Sequence, residues 1–316
     1  MAYVITIIFF LVLIALVAYS YPVRRIPFQH LYAKVPDDIK KSLQRFRRIH
    51  EIQHIKISGK TWHYLAIGQG KETILFLHGM AGAYDIWWQV IEALQSQFNI
   101  ISLTYPPIDN LEGLRGGILA ILEEEQVSEC YLVGTSLGGY LVQYLVSKNP
   151  EMIKRAVFAN TFPPNDIIAQ KTRKTGKILP FLPQWAVMQY LRQRTTTSTY
   201  PASGHSEIVL AYMMEQAHGM LTKKQYIARY RCILDDFEAP VSEASQIPVL
   251  VIEADNDPLV DAQLREMLKA TYPSSAVKTL HGVGHFPYLN QPEQYIQIIS
   301  DFFNNSTHKH GVVSHK

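Results

Sequence analysis

Tyr131-Leu132-Val133-Gly134-Thr135-Ser136-Leu137-Gly138-Gly139-Tyr140 is the stretch on which the reading of this chain turns. An apolar run of strand type meets a Gly-x-Ser-x-Gly turn and passes into a helical pattern. In a nucleophile elbow the serine sits on a sharp strand-to-helix bend. The flanking glycines, here Gly134 and Gly138, then leave room for the backbone to pass closely. The pentapeptide alone also fits an ordinary glycine-rich strand-helix junction, so its meaning depends on what surrounds it.

Before the elbow, Thr73–Leu77 is a continuous apolar run of the type buried on both faces of a parallel sheet, and it ends in His78-Gly79-Met80-Ala81-Gly82. A helical pattern from Ala83 to Phe98, a strand at Ile100–Leu103 and a helix near Leu111–Glu125 follow. Earlier still, Glu51–Ser58 and Thr61–Ile67 flank Ser58-Gly59-Lys60 as a hairpin. After the elbow come its helix, to Ser147, and a strand at Ala156–Ala159. Such alternation predicts an α/β fold with a mostly parallel sheet covered by helices.

Between Phe162 and Ile247 the alternation stops and the chain turns helix-like and aromatic. It resumes at Pro248–Ile252, with a helix at Val260–Thr271, a strand at Ala276–Leu280 and a last helix at Glu293–Phe303. Residues 49–161 and 247–304 are therefore read as the core and 162–246 as an inserted helical cap. Most of the cap's aromatic and Met side chains are needed for its own packing, with Phe162 and Trp185 taken as candidates for a substrate pocket.

The first 21 residues carry no charge and are almost wholly apolar, which reads as one transmembrane helix. A cleaved signal peptide competes through Ala18-Tyr19-Ser20. Against it stand the lack of a preceding basic residue and an apolar run longer than the roughly 7–15 residues of a signal core. Residues 22–48 read as a basic juxtamembrane linker broken by Pro22, Pro27 and Pro36, either solvated or touching anionic headgroups. Its Lys and Arg residues all follow the apolar segment, so the positive-inside rule puts the main domain in the cytoplasm as a single-pass membrane protein. The polar tail, 305–316, reads as disordered, its histidines solvated.

With 316 residues, 47% of them hydrophobic, the chain is long enough for a full core, and a net charge of +3 gives no footprint for nucleic acid. Cys130 and Cys232 form neither a disulfide framework nor a metal motif and read as reduced thiols.

A serine hydroxyl is a poor nucleophile, so Ser136 requires a base and a group that orients the base. On this architecture the chain order is Ser, acid, His. Glu253-Ala254-Asp255-Asn256-Asp257-Pro258 ends one strand, where sites on open α/β sheets are built, and Gly282-Val283-Gly284-His285-Phe286-Pro287 follows the next. His285, in the Gly-flanked loop, is preferred to His281 at a strand end. Asp257, at the turn into Pro258, is preferred to Asp255, which is left as a solvated or turn-capping residue, and to Asp166. The backbone N–H groups of Met80 and Leu137 are placed to form an oxyanion hole, with the His78 side chain fixing the loop.

These motifs, in this order, resemble the α/β-hydrolase superfamily over roughly Ile49–Phe303. Leu103-Thr104-Tyr105-Pro106-Pro107, Ala159-Asn160-Thr161-Phe162 and Phe286-Pro287-Tyr288-Leu289 resemble its maspardin branch. That branch implies a protein-binding role and lacks the histidine matching His285, which is present here. A serine at 136 rather than an aspartate disfavours the dehalogenase and epoxide-hydrolase chemistries of the superfamily. The expectation is a membrane-anchored serine hydrolase of esters or thioesters with a lipophilic acyl group, needing no cofactor and no metal. The alternative is a non-catalytic module that binds a protein partner.

Overall fold

The structure, a computed structural model, describes residues 2–304; the tail expected to be disordered, 305–316, lies outside the described residues. Its eight strands are β1 (Gln53–Ile57), β2 (Lys60–Gly68), β3 (Thr73–Leu77), β4 (Asn99–Thr104), β5 (Cys130–Thr135), β6 (Ile153–Ala159), β7 (Val249–Ala254) and β8 (Ala276–Leu280). They form one sheet in the order β1-β2-β4-β3-β5-β6-β7-β8. The first hairpin and the β2–β4 pair are antiparallel, and the remaining pairs are parallel. Every residue of β3 and β7 is buried, which is why these strands are continuous apolar runs rather than alternating ones.

From β3 the chain crosses to β4 on one side, and the next crossover places β5 on the other side of β3. The carboxyl ends of β3 and β5 thus flank a topological switch point, where a crevice opens. Both faces of the sheet are packed. Trp87, Trp88 and Ile299 belong to one apolar layer; Leu114, Leu141 and Leu264 belong to the other.

The cap is inserted between β6 and β7, which are directly paired, so the sheet runs on unbroken beneath it. Its main helices are Ile167–Ile178, Gln184–Arg194, Glu207–Glu215 and Lys223–Ile233.

The stretch 22–48, expected as a linker, is corrected by the structure. Pro27 and Pro36 do not make the stretch a linker; they immediately precede two helices, Phe28–Leu31 and Asp37–Ile49, where a missing N–H and a fixed φ cost nothing. Tyr32, Val35, Leu43 and Phe46 are buried in the main core, while Lys41, Arg45 and Arg48 remain outside. Arg47 is the exception among the cations. Its guanidinium donates to Asp85 Oδ2 at 2.6 Å and, bidentately, to Glu215 Oε1 and Oε2 at 2.8 Å each. Tyr32 donates to Glu215 at 2.7 Å and Tyr212 to Asp85 at 2.6 Å.

One cation therefore ties the helix Asp37–Ile49, the sheet domain and the cap together. Arg47→Ala leaves two largely buried carboxylates facing each other without a cation, and is expected to cost about 3 kcal/mol of stability. A fall in the urea midpoint at unchanged m-value would show it; an unchanged midpoint would remove Arg47 as a clamp.

Ahead of this segment, the helix Ala2–Ser20 is long and apolar enough to cross a membrane, with a mean hydropathy of 2.6 and 0% burial over Tyr3–Ser20.

Candidate active site

β5 delivers Ser136 to the crevice. Its backbone has φ 55° and ψ −120°, a conformation that costs a non-glycine residue about 1–3 kcal/mol and persists only where the surroundings enforce it. The enforcement is visible. A Cβ at Gly134 would stand 2.2 Å from the Gly138 carbonyl oxygen, and one at Gly138 would stand 1.9 Å from that of Leu77. The Ser136 N–H donates to the Ala159 carbonyl at 3.0 Å, and Thr161 Oγ1 donates to the Ser136 carbonyl at 2.7 Å. Leu137 is the first residue of the helix Leu137–Lys148, so its N–H has no acceptor within the helix and sits at the positive end of the dipole.

β7 and the loop after β8 bring Asp257 and His285 together, both buried. His285 Nδ1 lies 2.8 Å from Asp257 Oδ2 and 3.0 Å from Oδ1. The carboxylate is saturated. Oδ1 accepts the N–H groups of Leu259 (2.8 Å) and Val260 (3.1 Å), and Oδ2 accepts Asn160 Nδ2 at 2.9 Å. Burial works to raise the Asp257 carboxyl, but the facing imidazole and these hydrogen bonds outweigh it and hold the group below the ordinary carboxylate range. Asp255 is not simply solvated. It meets His281 Nδ1 at 2.8 Å and accepts the Gly282 N–H at 3.0 Å, so the second Asp–His pair fastens the base of the loop that carries His285. Asp166 is exposed, at the start of the helix Ile167–Ile178.

The loop after β3 supplies Met80. Gly79 and Gly82 close a turn through the Gly82 N–H at 3.2 Å, a bond that leaves the Met80 N–H out of the turn. His78 is wholly buried and holds the loop from beneath: Nδ1 donates to the Gly79 carbonyl at 2.6 Å, and Nε2 accepts the Tyr105 N–H at 3.5 Å. Burial first, and the nearby Arg229 second, push its pKa well below the usual histidine value. Protons therefore bind the unfolded chain more readily. The His78 contribution is fully present above about pH 6.5 and is lost as pH falls below that value, by roughly 1.4 kcal/mol per unit until the folded pKa is reached. Melting curves between pH 7.5 and 5 should show a loss that His78→Asn flattens; an equal loss in both proteins would refute this assignment.

Sequence reasoning missed two residues here. Asn160, at φ 41°, closes the far side of Asp257. An amide at the end of β6, one strand from the acid, was the available signal. The other is Arg229, from cap helix Lys223–Ile233. It is 1% exposed, and its guanidinium donates to the carbonyls of Met80 (2.7 Å), Gly82 (3.0 Å) and Tyr105 (3.3 Å). Burial lowers its pKa to about 10, so it remains charged at neutral pH.

Ser136, His285 and Met80 line a cavity of about 450 Å³, within the size range of small-molecule sites. Its walls include Phe162, Leu179, Tyr226 and Leu259, mostly apolar. Phe162 thus lies on the wall of the cavity that holds Ser136. Trp185 is not among the lining residues: it is 40% exposed, and its indole N–H donates to the Ala18 carbonyl at 2.7 Å, in the N-terminal helix. Cap aromatics sort by position, with Tyr190, Tyr226 and Tyr230 on the cavity and Tyr212 in the Asp85 network.

A sequence model described as the alpha/beta hydrolase family matches residues 74–298. The chain is 24% identical to the pimeloyl-(acyl-carrier protein) methyl ester esterase of Aeromonas hydrophila, over 74% of this chain and 96% of that protein. It is 23% identical to maspardin of Danio rerio, over 71% of this chain and 73% of that one. Among solved structures, a hydrolase from Pseudomonas aeruginosa PA01 superposes with a TM-score of 0.70 at 20% identity, covering 81% of this chain and 99% of that one.

Proposed function

Because the chain belongs to the alpha/beta hydrolase family, we propose that it is a membrane-anchored serine hydrolase that cleaves an ester or thioester with a lipophilic acyl group. The observation that carries this reading is that His285, held by the buried Asp257, and the strained Ser136 line one mainly apolar cavity. In the proposed reaction, Ser136 Oγ attacks the substrate carbonyl and His285 Nε2 takes its proton. Asp257 holds the imidazole through Nδ1 and stabilises its cation. The N–H groups of Met80 and Leu137 receive the oxyanion. The imidazolium returns its proton to the departing alcohol or thiol. Water, deprotonated by His285, then releases the acid and restores the serine.

The mainly apolar walls support an acyl chain rather than a polar substrate, and the ester-cleaving relative supports the bond type. Ala2–Ser20 is taken as the anchor, single-pass, with Arg24 and Arg25 and the main domain on the cytoplasmic side. A membrane-impermeant thiol reagent that reaches an exposed Glu51→Cys only after the membrane is breached supports that side; labelling in sealed cells refutes it.

A fluorophosphonate probe is expected to label the wild type and to leave Ser136→Ala unlabelled; a folded wild type that stays unlabelled sinks the enzymatic reading. The likeness to maspardin favours a second reading, a protein-interaction module, and that outcome would promote it.

A further inference from the structure

No Asp or Glu occurs between Asp166 and Glu207, whereas Lys171, Arg173, Lys174, Lys177, Arg192 and Arg194 all fall in that interval. The same part of the cap exposes large apolar side chains: Ile178 (56%), Phe181 (77%) and Trp185 (40%). A single exposed apolar residue calls for no explanation, but three at one helix-turn-helix edge, rimmed by cations of one sign, do. Their place in the fold supplies one. Trp185 donates to Ala18, close to the end of the helix Ala2–Ser20. Lys223 donates to the Tyr19 hydroxyl at 3.3 Å and to the Pro180 and Leu182 carbonyls at 2.9 and 2.5 Å, fastening the exposed edge to the same helix end. Val23 packs with Leu182 and Tyr226 on the small apolar cluster beneath.

We propose that the Ile178–Trp185 edge of the cap is a docking face for an anionic phospholipid bilayer. Ile178 and Phe181 enter the interfacial zone beside the N-terminal helix, and Arg173, Lys174 and Lys177 meet the headgroups. The proposal rests on reading Ala2–Ser20 as a membrane anchor, and it adds the seating of the cap. An apolar helix leaves the hydrocarbon near its last residues, here Tyr19 and Ser20, so whatever is bonded to Ala18 and Tyr19 lies at interfacial depth. Trp, with its apolar body and polar N–H, and Lys and Arg, with apolar stems and charged tips, are the side chains suited to that depth. Cations there gain from an anionic surface potential.

The same strip is a wall of the active cavity. Gly176 and Leu179 line it, while their neighbours Ile178 and Phe181 are exposed. Acyl chains then have a short route from the bilayer to Ser136 that bypasses bulk water.

The test uses the full chain in nanodiscs, with and without phosphatidylglycerol in phosphatidylcholine. A bimane label is placed on Phe181→Cys and, separately, on Leu11→Cys; Cys130 and Cys232 are buried and do not compete for it. Quenching by spin-labelled lipid is compared with quenching by aqueous iodide. Both labels should be lipid-quenched and iodide-protected. Leaving out phosphatidylglycerol, or changing Arg173, Lys174 and Lys177 to Gln, should shift only the label at 181 toward iodide. A label at 11 in lipid with the label at 181 in water overturns the proposal and leaves the anchor standing. Iodide quenching at both sites overturns the anchor and the proposal with it. Lipid quenching at 181 that ignores phosphatidylglycerol and the three cations overturns the anionic requirement.

Discussion

Asp257→Asn should lower kcat about 10⁴-fold, the scale seen when a triad acid loses its charge but keeps its shape. The reason lies in the four donors around the carboxylate. Oδ1 accepts two backbone N–H groups, from Leu259 and Val260, and Oδ2 accepts Asn160 and His285. An amide has one oxygen, and the pair of backbone donors claims it. Its NH₂ group then faces the Asn160 NH₂ and His285 Nδ1. To accept a hydrogen bond there, His285 must carry its proton on Nε2, the atom that has to be free to take the proton of Ser136. The fold should survive and fluorophosphonate labelling should slow in step with kcat; turnover of a soluble short-chain ester within about tenfold of wild type would contradict the assigned roles.

Arg229→Leu is expected to act on both stability and turnover. The carbonyls of Met80 and Gly82 lose their charged donor, while that of Tyr105 keeps Gln225 Nε2 at 3.2 Å, and each orphaned acceptor costs about 1–3 kcal/mol before relaxation. Met80 and Gly82 belong to the loop assigned to the oxyanion, so its N–H would no longer be aimed. Losing one such donor elsewhere lowers kcat by about 10²–10³. KM should change far less. Arg229→Lys keeps the charge but not the planar fork, and should recover stability better than turnover. Equal losses in kcat and in folded fraction, with no residual defect per folded molecule, would reduce Arg229 to a purely structural role.

The succession of strands along the chain, the elbow, and the Asp257 and His285 loops were legible because each rests on local chemistry. Continuous apolar runs mark strands covered on both faces, and glycines mark the places where backbone crowds backbone. Other features depend on how distant pieces meet. Arg229 lies among Lys223, Lys224 and Arg231, and nothing in that run distinguishes the cation that turns inward; only the docking angle of the cap does. Trp185 reads like any cap aromatic until the N-terminal helix stands beside it. Residues 22–48 misled through their prolines, which break a continuous helix but also begin new ones, and the buried face of Leu43 and Phe46 was outweighed by the surrounding charge.

The position of Arg229 also bears on how such proteins diversify. Because β6 and β7 pair directly, the inserted segment looks exchangeable, a module that evolution or a protein engineer could replace while sparing Ser136, Asp257 and His285. Here the insert carries the cation that supports the carbonyls of the Met80 loop. A transplanted segment inherits that debt: unless it brings its own donor to Met80 and Gly82, a chimera that keeps Ser136, Asp257 and His285 would start with that loop unsupported.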